Sequence, residues 1–266
     1  MIKQLQILFL VIISSTLFAD QEPNKVIKVK KELKIDIAKT YHDKDTKKIL
    51  RSSISTYKKG DQDIEHGPSM AFYKNGAKKI IINYSHGKKD GEQKYWREDK
   101  TTDKILYWKK GELTKKEIFH LNGILKTRST FTGVKGVKHL THFYKNGIKK
   151  LQFTIIDKKV NGIRKMWTKK GILESEDEWK DNKRNGKMKA YYVTGQLKVI
   201  LEWKDNKIIG ERVSYNKNKT ITAKCIYKEG IPHKGSVFDN ENFEIRNYKN
   251  GKLTETNASD EEGNLR

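Results

Sequence analysis

The chain has 266 residues, with 57 lysines and arginines against 33 aspartates and glutamates, so its formal net charge is +24. A hydrophobic content of 35% excludes a thick two-layer core and favours a sheet that buries mainly one face. Aromatic residues make up 10%, which excludes disorder because each buries a large area. The charge has two open interpretations: a field that attracts an anionic partner, or a lysine-rich surface that protects sheet edges from aggregation.

Residues 1–19 have the layout of a secretory signal peptide. Lys3 supplies a short positive segment, residues 5–17 are apolar, and Ala19 offers a small residue for cleavage before Asp20. The apolar run is short for a membrane-spanning helix, and a buried N-terminal strand or an uncleaved anchor is the alternative. We therefore expect an exported protein of the periplasm or cell envelope, in which residues 20–40 form an N-terminal strand or linker.

Residues 41–256 form a repeat array. Each unit places a glycine four positions after one aromatic residue and a second aromatic residue eight positions after that glycine. The units begin at glycines such as Gly162, Gly186 and Gly210, which are 24 residues apart. A fixed period of this length indicates a repeat architecture. Such arrays supply an extended surface rather than a catalytic centre.

Each unit reads as one β-hairpin. After Gly195, Leu197, Val199, Leu201 and Trp203 alternate with polar or out-of-phase residues, which predicts a strand with one buried face. The predicted fold class is all-β: an elongated, single-layer antiparallel β-meander of about eight 24-residue hairpin repeats. About 17 strands should form a twisted, coiled ribbon with an aromatic face on its concave side.

Some copies of the unit drift from the pattern. Lys100 takes the middle glycine position of the unit after Gly91. The unit after Gly136 has two extra residues before Gly147.

The repeat register aligns aromatic residues in two columns. The first column contains Phe72, Trp96, Phe119, Phe143, Trp167, Tyr191 and Tyr215. The second column contains Tyr57, Tyr84, Trp108, Phe131, Trp179, Trp203, Tyr227 and Tyr248, with Ile155 in place of an aromatic residue once. Aromatic pairs on neighbouring strands stabilise a sheet, and this structural role is our prediction for both columns. An aromatic row can also serve as a platform for a ligand.

The segments YKNG, WKDNKRNG and WKDNKIIG resemble MORN repeats. They are most similar to the bacterial variant found in the YwqK family of toxin–antitoxin antitoxins, and the resemblance covers residues 41–256. It implies a single-layer antiparallel sheet of consecutive hairpins without intrinsic catalysis. MORN-like arrays serve as scaffolds, as dimerisation modules and as proposed lipid-binding surfaces.

No catalytic or metal-binding motif is evident. His139 and His142 are three residues apart, which on a strand puts them on opposite faces. The other histidines, His42, His66, His86, His120 and His233, are expected to be solvated in or near turns. Cys225, the only cysteine, is expected to be a small buried hydrophobe. We predict that the protein is not an enzyme and uses no cofactor or metal.

Three same-face carboxylates, Glu174, Glu176 and Glu178, could bind a cation or a basic partner. We expect them instead to pair with Lys187 and Lys189 on the neighbouring strand. The polar, acidic tail at residues 257–266 is expected to be frayed.

The sequence therefore predicts a non-enzymatic, exported protein that binds a macromolecular partner along an extended basic sheet. A protein is the expected partner, and face lysines such as Lys187, Lys189 and Lys198 should contribute more than turn lysines such as Lys204 and Lys207. Two alternatives remain open: an antitoxin or immunity protein, and a peripheral binder of anionic lipid or envelope polysaccharide. Nucleic acid is not expected, because export would separate the protein from it.

Overall fold

A computed structural model describes residues 33–42, 50–239 and 241–266 of the chain. The chain divides into Met1–Leu33 and a compact unit, Lys34–Arg266, which contains every described strand. The signal peptide predicted over residues 1–19 lies outside the described residues. Within the described part, no helix is long and apolar enough to cross a membrane.

All described regular structure is β-strand, in twenty segments. The strands are β1 (Asp36–Tyr41), β2 (Leu50–Lys59), β3 (Gln62–Glu65), β4 (Gly67–Phe72), β5 (Lys78–Ser85), β6 (Lys88–Trp96), β7 (Thr102–Lys109), β8 (Glu112–Phe119), β9 (Leu125–Phe131), β10 (Val137–Phe143), β11 (Lys149–Ile156), β12 (Lys159–Trp167), β13 (Leu173–Lys180), β14 (Lys183–Tyr191), β15 (Leu197–Lys204), β16 (Lys207–Tyr215), β17 (Ile221–Lys228), β18 (Ile231–Asp239), β19 (Glu244–Lys249) and β20 (Lys252–Ala258).

The strands form one open antiparallel sheet in which each strand pairs with the next along the chain. The single exception is β2, which pairs with β1 on one side and with both β3 and β4 on the other. The predicted single-layer meander of hairpins is confirmed. The described strands number 20 against about 17 expected, because β1 precedes the array, His66 divides the strand opposite β2 into two, and the array itself has one strand more than expected.

Two kinds of turn alternate and account for the 24-residue period. Tight two-residue turns such as Asp181–Asn182 and Asp205–Asn206 have positive φ at both positions, the geometry that suits the twist of a hairpin. The other turns contain the middle glycine of the unit, as at Gly195, where φ is 90°. Lys219 occupies that position in another unit with φ of 66°, so the turn persists where the glycine is lost.

The Y-K-N-G residues join the turn of one repeat to the turn of the next. Tyr144 Oη donates to the carbonyl of Trp167 at 2.7 Å, and Asn146 Nδ2 donates to the carbonyl of Lys169 at 2.9 Å. The same tyrosine bond recurs from Tyr73 to Trp96 and from Tyr192 to Tyr215, and the same asparagine bond from Asn75 to Glu98 and from Asn122 to Lys145. The motif is therefore part of the sheet's hydrogen bonding rather than a ligand site.

The two aromatic columns lie on opposite faces of the sheet. Neighbouring residues on a strand point to opposite faces. We therefore name the two faces of the sheet after two neighbours on β13: the face to which Glu176 points is the Glu176 face, and the other is the Asp177 face. Tyr191 of the first column donates to Glu176 Oε1 at 2.9 Å. Trp179 of the second column lies two residues from Asp177 and beneath Arg164, which binds that carboxylate. The expectation of a single aromatic face is wrong.

Both faces also contain buried residues. Ile105, Glu117 and Val213 are buried on the Glu176 face, whereas Asp177, Leu201 and Cys225 are buried on the Asp177 face. Side chains are therefore buried on both faces of this single layer of strands. Cys225 is 1% exposed, which confirms its prediction as a small buried residue.

The C-terminal tail folds back on the sheet instead of fraying. Ser259 N donates to the carbonyl of Phe243 at 2.7 Å, and Glu262 Oε1 lies 2.8 Å from Lys217 Nζ. Gly263 packs on the ring of Phe238, which is 5% exposed and forms a small core with Ala223 and Ile245. The expected fraying was wrong because the tail's carboxylates find lysine and backbone partners.

Candidate binding surface

A buried ion cluster lies on the Asp177 face. Arg164 donates from Nε and Nη2 to both Asp177 oxygens, at 2.9 and 2.8 Å, and Arg184 Nε lies 3.3 Å from Oδ2. The guanidinium of Arg164 lies 4.4 Å from the ring centre of Trp179, and that of Arg184 lies 4.8 Å from the ring centre of Trp203. The Asp177 carboxylate is fully paired, and the two guanidinium groups, which leave one net positive charge, are held by it and by the tryptophan rings, so the cluster stabilises the repeats.

Glu117 is a second buried carboxylate, on the Glu176 face. Tyr107 Oη donates to it at 2.9 Å and Arg128 Nε at 2.8 Å. Burial raises the pKa of Glu117, but these hydrogen bonds and the charges of Lys115 and Arg128 outweigh burial, so its pKa lies below the ordinary value. Burial and the contact with Glu117 raise the pKa of Tyr107 to about 12. At neutral pH Glu117 is therefore ionised and Tyr107 is neutral, so the two side chains together carry one negative charge.

Glu176 repeats this arrangement. It accepts a hydrogen bond from Tyr191 at 2.9 Å and lies 3.4 Å from Lys165 Nζ and 3.6 Å from Lys189 Nζ. The ion pair with Lys189 matches the sequence prediction, whereas the pairing with Lys165 was missed because it comes from the preceding hairpin. Burial, the larger cause, and the hydrogen bond to Glu176 together raise the pKa of Tyr191 to about 12.

The histidines form no metal site among the described residues, where no cluster of three or more histidine, cysteine or acidic side chains occurs. His139 and His142 take separate threonine partners, Thr154 at 2.9 Å and Thr127 at 3.1 Å, as expected for opposite faces. Burial, together with the charges of Lys150 and Lys126, lowers the pKa of His142 below its ordinary value.

Two of the turn histidines are not simply solvated. The rings of His66 and His86 contact each other edge to face, with their centres 4.8 Å apart, and each also contacts the ring of Tyr57 edge to face. This three-ring contact closes the first hairpins of the array against each other.

Exposed lysines occupy one position of the repeat, immediately after the second-column aromatic residue. The lysines at this position in the last four hairpins define the lysine row: Lys180, Lys204, Lys228 and Lys249. All four are exposed, and within the described part of the chain none has a carboxylate within 4.0 Å. Lys109 occupies the same position further up the array.

Direct cross-strand lysine pairs flank the tight turns of this row. Lys180 lies opposite Lys183, Lys204 opposite Lys207, and Lys249 opposite Lys252. Like charges directly opposite each other destabilise a sheet. A second lysine is neutralised in two of the three pairs, because Lys183 binds Asp205 and Lys207 binds Glu229. Among the described residues, the row lysines and Lys252 are the members of these pairs without an acidic partner.

Two of the three face lysines named by the sequence have partners. Lys189 is paired with Glu176, and the Lys198 ammonium lies 5.5 Å from the ring centre of Tyr192. Lys187 is exposed, with no carboxylate within 4.0 Å among the described residues. Of the two turn lysines, Lys207 binds Glu229 whereas Lys204 has no such partner, so the relative importance of face and turn lysines stays a prediction.

A cleft of about 750 Å³ opens on the Asp177 face at the middle of the array. Leu113, Phe131 and Ile155 contribute apolar surface to it, and Val134, Lys138 and Lys158 also line it. Val134 is 64% exposed. The sequence contained a signal for this cleft, since Ile155 is the one position where the second column loses its aromatic ring.

The hairpin at the cleft departs from its neighbours. Pairing places Lys138 opposite Ile155, where other repeats pair a glycine with an aromatic residue, as in Gly162 opposite Trp179. Lys138, not Gly136, therefore begins this unit, and the two extra residues counted after Gly136 are not an insertion. The strands are joined by a five-residue turn at 132–136 instead of a two-residue turn followed by a bulge.

Comparison with known proteins supports the repeat class. The family described as MORN repeat variant matches residues 184–205, which is one hairpin unit of the array. No curated protein matches the chain. Solved structures that the chain resembles include "Crystal Structure of TcdB2-TccC3" and "Crystal Structure of TcdB2-TccC3-Cdc42". They give TM-scores of 0.20 and 0.17 at 10% and 12% identity. Each alignment covers 87% of this chain but only 17% and 16% of the other chain.

Proposed function

We propose that this chain is a non-enzymatic, exported MORN-like repeat protein that binds a partner protein through the lysine row. The observation that carries the proposal is the recurrence of unneutralised lysines opposite other lysines at the same repeat position. A feature that costs local stability and recurs is expected where function maintains it. An acidic partner would remove the cost by neutralising the row.

The spacing of the row suits an extended acidic surface. Successive row lysines are separated by one hairpin, or two strands, which corresponds to roughly 10 Å. This is close to the screening length of about 8 Å at physiological ionic strength, so each lysine attracts its own local charge. Such a row would steer association and fix its register, with an affinity that falls as salt rises.

A protein fits this margin better than a uniformly anionic polymer or membrane. Asp181, Asp205 and Glu229 lie in the same turns as the lysines of the row. These carboxylates are paired with Lys159, Lys183 and Lys207, so charges of both signs alternate along the turns, and a protein can oppose each sign with its complement where a uniformly anionic surface cannot.

The test compares two triple variants with the same change in net charge. The row variant carries Lys180→Gln, Lys204→Gln and Lys228→Gln. The control carries Lys159→Gln, Lys183→Gln and Lys207→Gln, whose lysines already bind Asp181, Asp205 and Glu229. Surface pairs of this kind contribute only about 0–1 kcal/mol, so the control should fold normally.

Mature protein is used to capture partners from envelope extract, with identification by mass spectrometry at low and high salt. We expect a specific partner that is lost at high salt and in the row variant but retained by the control. Equal loss in both variants would show that total charge, not the row, governs binding.

The alternative partners are separated in parallel assays. Titration against anionic and neutral liposomes, and against envelope polysaccharide, should give weaker binding than the protein partner. Stronger binding to either would replace the protein with a lipid or polysaccharide as the ligand. If the captured protein is a toxin whose activity the chain suppresses, the protein is an antitoxin or immunity protein.

Export has its own measurement. We expect mature protein from the envelope fraction to begin at or near Asp20, because the cleavage pattern ends at Ala19. Recovery of the chain from the cytosol with its first residue intact would contradict export.

A further inference from the structure

We infer that the cleft at Ile155 is an anchoring pocket for an aromatic residue beside an acidic residue on the partner protein. This inference rests on the proposed function and names the chemistry that a second contact region would recognise.

Three departures from the repeat meet at this one cleft. Ile155 replaces the second-column aromatic residue, Lys138 replaces the glycine opposite it, and the turn at 132–136 replaces a tight turn. Drift of the sequence alone would scatter such changes along the array. Their convergence leaves a space where every neighbouring hairpin places a ring.

The walls of the cleft fit an aromatic occupant. Phe131, Leu113 and Ile155 provide apolar contact, and the cleft volume of about 750 Å³ lies in the range of ligand pockets, about 300–1,000 Å³. An inserted ring would continue the second column between Phe131 and Trp179, where ring stacking and burial are favourable. It would also cover Val134, an apolar side chain that is otherwise 64% exposed.

The lysines around the cleft favour an acidic residue next to the aromatic residue on the partner. Lys135, Lys138 and Lys158 line the cleft, against Glu112 and Asp157. Lys138 stands beside the space for the ring, opposite both Phe131 and Ile155. Its ammonium can meet a carboxylate next to the ring while its aliphatic stem packs on the ring. Aromatic anchors in pockets of this kind dominate the energy of protein interfaces.

The experiment uses the full chain and two probes that differ only in the ring. Indole-3-propionate carries an aromatic ring and a carboxylate, and 3-cyclohexylpropionate carries the same carboxylate on a saturated ring. Binding is followed by ligand-observed NMR titration. We expect saturable binding of the indole probe, with at least about tenfold weaker binding of the saturated probe, a factor that corresponds to about 1.4 kcal/mol.

The decisive variant is Ile155→Trp, which restores the repeat's own aromatic residue and occupies the ring position beside Phe131 in the cleft. Ile156→Trp is the matched control, since Ile156 is the next residue, points to the opposite face and is 40% exposed. We expect Ile155→Trp to abolish probe binding and the control to change it by less than about twofold, because the control leaves the cleft open. The double variant Ile155→Trp with Lys138→Gly restores the full repeat pair and guards against misfolding from crowding.

No saturable binding by the unmodified chain, or equal binding in Ile155→Trp, would overturn the inference. Failure here is distinguishable from failure of the proposed function. If partner binding is lost in the row variant but the indole probe does not bind, the proposed function is supported and the anchoring pocket is not. The opposite outcome is that the indole probe binds, Ile155→Trp abolishes this binding, and the row variant binds every partner normally. That outcome would support the anchoring pocket and contradict the role of the lysine row.

Discussion

Trp203 lies directly across the sheet from Gly186, and this pairing of a ring with a glycine recurs through the array. The equivalent pairs are Gly67 with Tyr84, Gly91 with Trp108, Gly162 with Trp179, Gly210 with Tyr227, and Gly235 with Tyr248. Gly186 has φ of 118°, and a side chain there would collide with Glu178. All of these glycines have positive φ, so the residue that marks each period serves backbone conformation throughout, whereas close packing is added at Gly186 and Gly235.

Replacing this glycine should destabilise the array through two effects. In Gly186→Ala the added methyl group meets the Glu178 carboxylate and the backbone keeps an unfavourable φ, so we expect a loss of about 1–3 kcal/mol. Gly195→Ala is the control, because φ is also positive but nothing lies within 4 Å of the added carbon. Urea unfolding should show a larger loss for Gly186→Ala. Equal losses would mean that backbone strain alone accounts for the effect.

Trp203 should contribute more to stability than its neighbour Ile200. Trp203 is half-buried with Arg184 over its ring, so Trp203→Ala should cost about 2–3 kcal/mol, below the range of 3–5 for a fully buried tryptophan. Ile200 lies on the opposite face beside the buried Val213, and Ile200→Thr should cost about 1 kcal/mol. Thermal or urea midpoints test the ranking. Equal sensitivity would show that the Glu176 face is packed as tightly as the Asp177 face.

Asp177 should be the most sensitive acidic residue of its hairpin. Asp177→Asn leaves the guanidinium groups of Arg164 and Arg184 without their buried counter-charge, and we expect a loss of about 3–5 kcal/mol. The same change at Asp205, an exposed partner of Lys183, should cost less than about 1 kcal/mol. Denaturant unfolding measures both. A small loss for Asp177→Asn would indicate that water enters the cluster and solvates the arginines.

The paired tyrosines should weaken the fold at high pH. The pKa of Tyr191 rises from 10.0 to about 12 in the folded chain, so the folded state holds this proton more tightly than the unfolded state. Its stabilising contribution is complete below pH 10 and is lost as the pH rises toward 12.

A matched variant isolates the cause of this shift. Glu176→Gln removes the negative charge beside Tyr191, and spectroscopic titration should then show tyrosinate forming at lower pH. Tyr107, whose partner is Glu117, should keep its pKa of about 12 in the same variant. An unchanged titration in Glu176→Gln would assign the whole shift to burial.

Local patterns of the sequence were sufficient for the repeat and its hairpins. Period-two alternation around Gly195 and the 24-residue spacing of Gly162, Gly186 and Gly210 follow from strand and turn geometry within one unit. They therefore predicted an antiparallel meander in a single layer. They also identified Cys225 as buried, since its repeat position is apolar in other units.

Relationships between hairpins were not available from a single unit. The sequence aligned the columns of Trp167 and Trp179 by phase but could not assign their faces, because a bulge shifts the pairing within each hairpin. It could not foresee the folded tail either, because Glu262 meets Lys217 from a distant repeat.

The functional inferences also came partly from the sequence and partly from the tertiary structure. Composition determined that the chain carries a large positive charge, and the residue order showed none of the common catalytic motifs. Tertiary structure decided which charges remain free, because a lysine such as Lys189 is neutralised only by a carboxylate that the sheet brings beside it, whereas Lys204 meets another lysine. It also turned the substitution at Ile155 into a cleft, because an absent ring leaves space only where neighbouring strands hold the surrounding walls in place.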